Sequence, residues 1–169
     1  GTGVQVTWVV VSALLVTLLY TWGLIFLNRA DAGPPAGAHV LQVDVTGEQW
    51  NWNFTYPQYG NAQSAYLEVP INRPILFKIT SIDVTHSFGV PAWALKEDAV
   101  PGDFTYIRVT PSLLGTFDLR CYELCGMFHA YMQSQVHVVP APAFATWVRK
   151  QPTGDPWGIG GAGVPNQYP

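Results

Sequence analysis

Residues 48–56 read EQWNWNFTY. Trp50, Trp52, Phe54 and Tyr56 alternate with Asn51, Asn53 and Thr55. A period of two sends successive side chains to opposite faces of an extended chain, so the stretch predicts a β-strand with one buried face. The same habit runs through HVLQVDVT (39–46), AYLEV (65–69), ILFKIT (75–80), FTYIRVT (104–110), GTFDLR (115–120) and SQVHVV (134–139). Pro, Gly and Asn separate these runs. Several short strands with such punctuation predict a β-sandwich or Greek-key barrel. APAFATWVRK (141–150) reads as a short helix, and residues 151–169 are rich in Gly and Pro without periodicity.

Towards the N-terminus the pattern changes. Residues 1–28 carry no charged side chain, and residues 4–27 read VQVTWVVVSALLVTLLYTWGLIFL. About 20 apolar residues cross a bilayer as a helix. Trp8 and Trp22 lie near the two ends, where interfacial aromatics belong. A cleaved signal peptide would need a basic start and a shorter apolar core. A buried helix of a soluble protein is rarely apolar on every face. A transmembrane α-helix is therefore expected. Arg29 and Asp31 offset each other and set no orientation by charge. ADAGPPAG (30–37) is a linker by composition. The expected organisation is an anchor at 1–29, a linker at 30–38, a β head at 39–140, and a C-terminal segment at 141–169 lying against a partner.

Charged residues make up 11% of the chain and hydrophobic residues 49%. About 25% charged is usual for soluble domains, so the balance fits a membrane segment or a large subunit interface. A net charge of −3 with scattered Lys and Arg excludes a nucleic-acid binder. Two cysteines are too few for a disulfide scaffold.

Both cysteines fall in CYELCGMFHAYM (121–132). Three readings compete. The thiols could pair as a disulfide in an oxidising compartment. With His129 and a fourth ligand they could hold zinc, although methionine suits zinc poorly. Or they could hold copper, since thiolate and thioether suit Cu(I) and imidazole also accepts Cu(II). A mononuclear blue copper site takes one thiolate and two imidazoles, which leaves one thiolate over. Two thiolates can instead bridge two coppers, each with one imidazole. His129 supplies one imidazole, and the other comes from His39, His86 or His137. His137 alternates with valines in a strand, and His39 sits at the linker exit. His86, in SIDVTHSFGVP, follows an apolar strand at a loop mouth, the usual place for a ligand on a β-scaffold. Asp83, three residues earlier, either orients His86 or caps a turn.

The loop C-x-E-L-C-G-x-x-H-x-x-M resembles the binuclear copper-A loop of cytochrome c oxidase subunit II, in the haem–copper oxidase family. DVTHSFGVPAWALKEDAVPG (83–102) resembles that family's first-histidine segment, and EQWNWNFTY its aromatic strand. The likeness runs from the anchor to about Val139. It implies an all-β, cupredoxin-like Greek-key head behind an N-terminal transmembrane α-helix. It implies that Cys121 and Cys125 bridge two copper ions and that His86 and His129 each bind one. Met132 is then a weak ligand to one copper and the Glu123 carbonyl to the other. The Glu123 carboxylate resembles a ligand to a magnesium ion shared with subunit I. Trp50 resembles the exposed aromatic where electrons enter, and Trp52, which shares its face in the alternation, reads as packing.

The implied partners are the haem-bearing subunit I, other oxidase subunits, and cytochrome c or a membrane-bound cytochrome as donor. The implied place is the plasma membrane of a prokaryote, crossed once, with the copper head on the periplasmic side. The implied activity is that of an oxidase subunit carrying electrons, with oxygen reduction and proton pumping in subunit I. A copper-A subunit of a nitric oxide reductase and a membrane-tethered copper-delivery protein share enough of this pattern to stand as alternatives. The sequence departs from its relatives at Gln5, Phe88 and Asp103, and it shows one helix where the family usually carries two.

Overall fold

The computed structural model describes residues 1–31 and 38–154. The chain divides into two compact units, one ending at Ala38 and one beginning at His39. In the first, α1 (Thr2–Asp31) is a single uninterrupted helix. Its stretch Thr2–Arg29 is long and apolar enough to cross a membrane, with a mean hydropathy of 2.2 over its most apolar 18 residues. At 1.5 Å per residue this stretch is about 42 Å long, more than the hydrocarbon core requires. Thr7, Thr17 and Thr21 return their hydroxyl protons to carbonyls one turn back.

Among its described residues the second unit has ten strands, one α-helix and three short 3-10 turns. The strands are β1 (Leu41–Glu48), β2 (Asn51–Tyr56), β3 (Ala62–Ser64), β4 (Leu67–Pro70), β5 (Ile75–Ser81), β6 (His86–Val90), β7 (Leu95–Ala99), β8 (Thr105–Val109), β9 (Gly115–Cys121) and β10 (Gln133–Val139). The helix is α2 (Ala141–Val148). Two five-stranded sheets form, ordered β3-β2-β1-β5-β8 and β4-β10-β9-β6-β7. Only β1–β5 and β4–β10 run parallel. Each of these pairs joins strands distant in sequence, because parallel neighbours need a long crossover connection.

The alternation in the sequence has its expected physical outcome in β1. Leu41, Val43 and Val45 are buried between the sheets, while Gln42, Asp44 and Thr46 lie on the outer face. In β2 the buried set is Trp52, Phe54 and Tyr56. Phe88 of the opposite sheet sits at their centre, with ring centroids 5.8 Å from Trp52, 6.4 Å from Phe54 and 5.2 Å from Phe77. Tyr56 ties the sheets together by a polar link. Its hydroxyl donates to the Glu68 carbonyl at 2.9 Å and accepts the Glu68 N–H at 3.0 Å. Burial pushes the phenol pKa up, so the proton needed for this link stays in place.

EQWNWNFTY is not one strand, contrary to the alternation. Glu48 ends β1, Gln49 and Trp50 form the turn, and Asn51 opens β2. The inward positions are odd-numbered in β1 and even-numbered in β2, and the run looks continuous because the turn residue Trp50 falls in phase with Trp52, Phe54 and Tyr56. Strands β3, β6 and β7 lack a period-two signature in the sequence. In β6 all five residues are buried, so no polar face marks it. His86 is therefore the first residue of a strand, not part of a loop mouth.

α2 ends at Val148, two residues before the sequence pattern does. It buries Phe144 and Val148, and Trp147 donates to the Tyr66 hydroxyl at 2.8 Å. Beyond it the chain returns to β3, where the Gln63 N–H bonds to Pro152 and Ala62 bridges Thr153. Residues 32–37 of the linker expected at 30–38, and residues 155–169 of the segment 141–169 expected to dock on a partner, lie outside the described residues.

Glu68 is 8% exposed, and burial holds its carboxyl above the usual range. A carboxyl whose pKa folding raises supports the fold while protonated, and loses that contribution as pH rises through its folded value. Glu68→Gln keeps a neutral side chain at every pH. Its thermal midpoint should exceed that of the wild type at neutral pH, and the gap should close on acidification through the carboxylate range. An equal midpoint at neutral pH would mean that the carboxylate is solvated.

Candidate metal centre

Two strand ends and one loop build the site. His86 opens β6 and Cys121 closes β9, and these strands are antiparallel neighbours, with Phe88 opposite Cys121. The loop from Tyr122 to Met132 is clamped where it leaves the sheet and where it returns. The Tyr122 N–H bonds to the Ser87 carbonyl at 2.9 Å, and the Cys121 N–H to the Met132 carbonyl at 3.1 Å. A short helical turn, His129–Tyr131, carries the second imidazole.

Six potential donors converge there around two neighbouring sulfurs. Around Cys121 Sγ stand His86 Nδ1 at 3.9 Å and the Glu123 carbonyl at 3.2 Å. Around Cys125 Sγ stand His129 Nδ1 at 3.5 Å and Met132 Sδ at 3.7 Å. The two Sγ atoms are 3.8 Å apart and both thiols are free. His86 and Met132 are fully buried and the two cysteines nearly so. His86, Cys121 and Cys125 offer ligand atoms that all lie within 4.8 Å of one another. One tetrahedral zinc takes four ligands, fewer than this set provides, whereas soft sulfurs with imidazoles suit copper. The donor set fits copper.

The electrostatics prepare the site for a cation. Burial pushes the Cys121 thiol up. Hydrogen bonds from His86, from the backbone at Ser87 and Glu123, and from His129 outweigh it and bring the thiol below its ordinary value. Cys125 is held above its ordinary value by burial and by the neighbouring Cys121 charge. Two thiolates this close repel each other, so the second proton leaves when a cation takes its place.

His86 and Asp83 are a matched pair. Burial lowers the imidazole pKa, but Cys121 and Asp83 outweigh it and raise it. Burial raises the Asp83 pKa, but bonds from His86, Val84 and Gln49 outweigh it and lower it. Asp83 Oδ1 lies 2.8 Å from His86 Nε2 and accepts the Val84 N–H at 2.6 Å. Its Oδ2 accepts the Gln49 N–H at 2.6 Å. With Nε2 donating to Asp83, the Nδ1 lone pair faces the sulfurs. Asp83 therefore caps its own turn and also orients His86.

Trp50 is half-buried in the β1–β2 turn, away from the face that carries the fully buried Trp52. Its indole N–H donates to the Cys125 carbonyl at 3.3 Å, and its ring meets Phe128 edge-on at 4.8 Å. Around it the loop exposes Leu124 (79%), Met127 (84%) and Tyr131 (78%). Glu123 is exposed while its carbonyl faces Cys121. His137 packs on Tyr66, with ring centroids 5.2 Å apart. His39 precedes β1, away from the strand end that meets the site.

Sequence reasoning missed Gln49. Its side-chain amide donates to the Cys125 carbonyl at 2.7 Å, while its backbone holds Asp83. A polar turn residue carries no periodic signal that would have marked it.

Two five-stranded Greek-key sheets with a soft-donor pocket at one end define a copper-binding, cupredoxin-like domain. The family described as "Cytochrome C oxidase subunit II, periplasmic domain" matches residues 62–139. Cytochrome c oxidase subunit 2 of Thermostichus vulcanus is 42% identical over 110 residues, covering 65% of this chain and 33% of that protein. Alternative cytochrome c oxidase subunit 2 of Bradyrhizobium diazoefficiens is 30% identical over 183 residues, covering 90% of this chain and 61% of that protein. The crystal structure of the periplasmic domain of cytochrome oxidase subunit II (CoxB) of Bradyrhizobium japonicum superposes with a TM-score of 0.65 at 32% identity. It covers 70% of this chain and 95% of that one. The chain belongs to the cytochrome c oxidase subunit II family. It spans between a third and about three-fifths of the length of these two curated relatives.

Proposed function

We propose that this chain is the electron-transfer subunit of a respiratory terminal oxidase. It takes electrons from cytochrome c or a membrane-bound cytochrome and passes them to haem in subunit I, where oxygen is reduced to water with proton translocation. The observation that carries this reading is the donor set itself, two sulfurs 3.8 Å apart with two imidazoles and two weak donors gathered around them. That arrangement suits two copper ions bridged by the two sulfurs, with His86 on one and His129 on the other, Met132 a weak ligand to one and the Glu123 carbonyl to the other. Bound there, a copper pair supplies a one-electron store that spreads the added charge over both ions.

The residues of the chain do the rest. Cys121 and Cys125 give up their protons on loading. Asp83 keeps the His86 ring aimed, and the buried Met132 excludes water. Trp50 offers an entry point, because its indole N–H reaches the backbone carbonyl of Cys125 directly. The exposed Glu123 carboxylate is available to a magnesium ion shared with subunit I. In this organisation residues 1–29 anchor the chain in a prokaryotic plasma membrane and 30–38 link it to the head. Residues 39–140 form the copper head on the periplasmic side, and 141–169 dock on a partner subunit.

The test is electron paramagnetic resonance of the copper-loaded, air-oxidised chain. Hyperfine structure from one electron shared by two coppers is expected. A mononuclear pattern, or no bound copper, would overturn the reading.

A further inference from the structure

We infer that Gly47 is a positioning residue for the metal centre: the side chain it lacks is the seat of the His86 ring. In β1 the inward positions run Leu41, Val43, Val45 and then Gly47. The alternation calls for a fourth apolar side chain, and the sequence supplies none. The structure shows what fills the space. A Cβ at Gly47 would stand 3.0 Å from His86 Cδ2, 3.3 Å from His86 Cγ and 3.1 Å from Trp52 Cζ3.

Neither side of this contact has room to yield. The Gly47 backbone is paired on both flanks, with Trp52 on β2 and Ser81 on β5, and its carbonyl accepts the Ile82 N–H at 3.2 Å. The His86 ring is fully buried, held through Nε2 by Asp83 at 2.8 Å, and set edge-on against Trp52 at 6.0 Å. A ring pressed from the Gly47 side must turn or shift while Asp83 still holds Nε2, and this moves Nδ1 relative to Cys121 Sγ. The turn that follows Gly47 grips the same site twice more, through the Gln49 N–H on Asp83 and the Gln49 amide on Cys125. The end of β1 is thus the fixed surface against which the distant histidine is set relative to the loop.

This inference rests on the copper reading above, and its test separates the two. The copper reading fails if the wild-type chain, in detergent, shows no shared-electron signal. The seat is tested by Gly47→Ala. We expect copper affinity to fall roughly 10-fold or more, as it does when an outer support of a metal ligand is lost, with changed hyperfine splitting and a shifted midpoint potential. The same change is expected in a Trp52→Phe background, where the Trp52 contact is relieved and the His86 contact remains. Wild-type affinity and spectrum in Gly47→Ala would overturn the inference, as would loss of the effect in the Trp52→Phe background.

A metal-independent arm reads the His86 ring by nitrogen–proton correlation in the copper-free chain. Unchanged ring resonances in Gly47→Ala would also overturn it. Should Gly47→Ala fail to fold, the double variant with His86→Gly leaves room for the new Cβ. Added imidazole should then restore the copper signal at a concentration about 10-fold higher than for His86→Gly alone. An equal concentration would overturn the seat.

Discussion

Cys121→Ser should abolish the shared-electron signal, with a loss of copper affinity well beyond the roughly 10–100-fold that removal of an outer hydrogen-bond partner costs. A serine hydroxyl is a hard, weakly acidic donor where the site needs a soft thiolate. The loss falls on both donor groups at once, because Cys121 Sγ lies next to His86 Nδ1 and the Glu123 carbonyl and 3.8 Å from Cys125 Sγ. The fold should survive. Cys121 reaches Met132 through its backbone N–H, a bond that serine keeps. Circular dichroism of the copper-free variant should match the wild type while its loaded spectrum does not. A variant that kept the wild-type spectrum would show that Cys121 does not bridge.

Phe88→Ala should cost about 3–5 kcal/mol of stability in the copper-free chain, the usual price of emptying a buried aromatic site. Phe88 is fully buried and packs on Trp52, Phe54 and Phe77 of the opposite sheet, so its ring joins the two sheets. Against a domain stability of about 5–15 kcal/mol, that loss removes a large share of the total. Denaturant titration should show a much lower midpoint. It must be done without copper, because a ligand that binds only the folded state adds its own stabilisation. A loss under about 1 kcal/mol would mean that the sheets close over the gap.

What could be read from the residues, and what could not, follows from the range of each signal. Period-two burial is local, so β1, β5 and β10 were legible wherever one face met the core and the other met solvent. β6 was not, because all five of its residues are buried and no contrast remains. The break at Gln49–Trp50 was hidden because Trp50, an apolar turn residue, extends the even-numbered alternation of β2 back past the strand's start.

The sequence by itself determined an apolar helix of membrane-spanning length, a sandwich of short strands, and a loop holding two thiols, a thioether and an imidazole within twelve positions. Those properties depend on composition and on spacing along the chain. Only the tertiary structure decided which distant groups complete the site. Hydrogen bonding between β6 and β9 brings His86 to Cys121 across 35 positions. The same packing has Asp83 serve both as a turn cap and as the partner of His86. It places Trp50 in a turn over Cys125, and it makes the bare backbone of Gly47 a seat for an imidazole. No local pattern encodes these contacts, because each depends on where another strand ends.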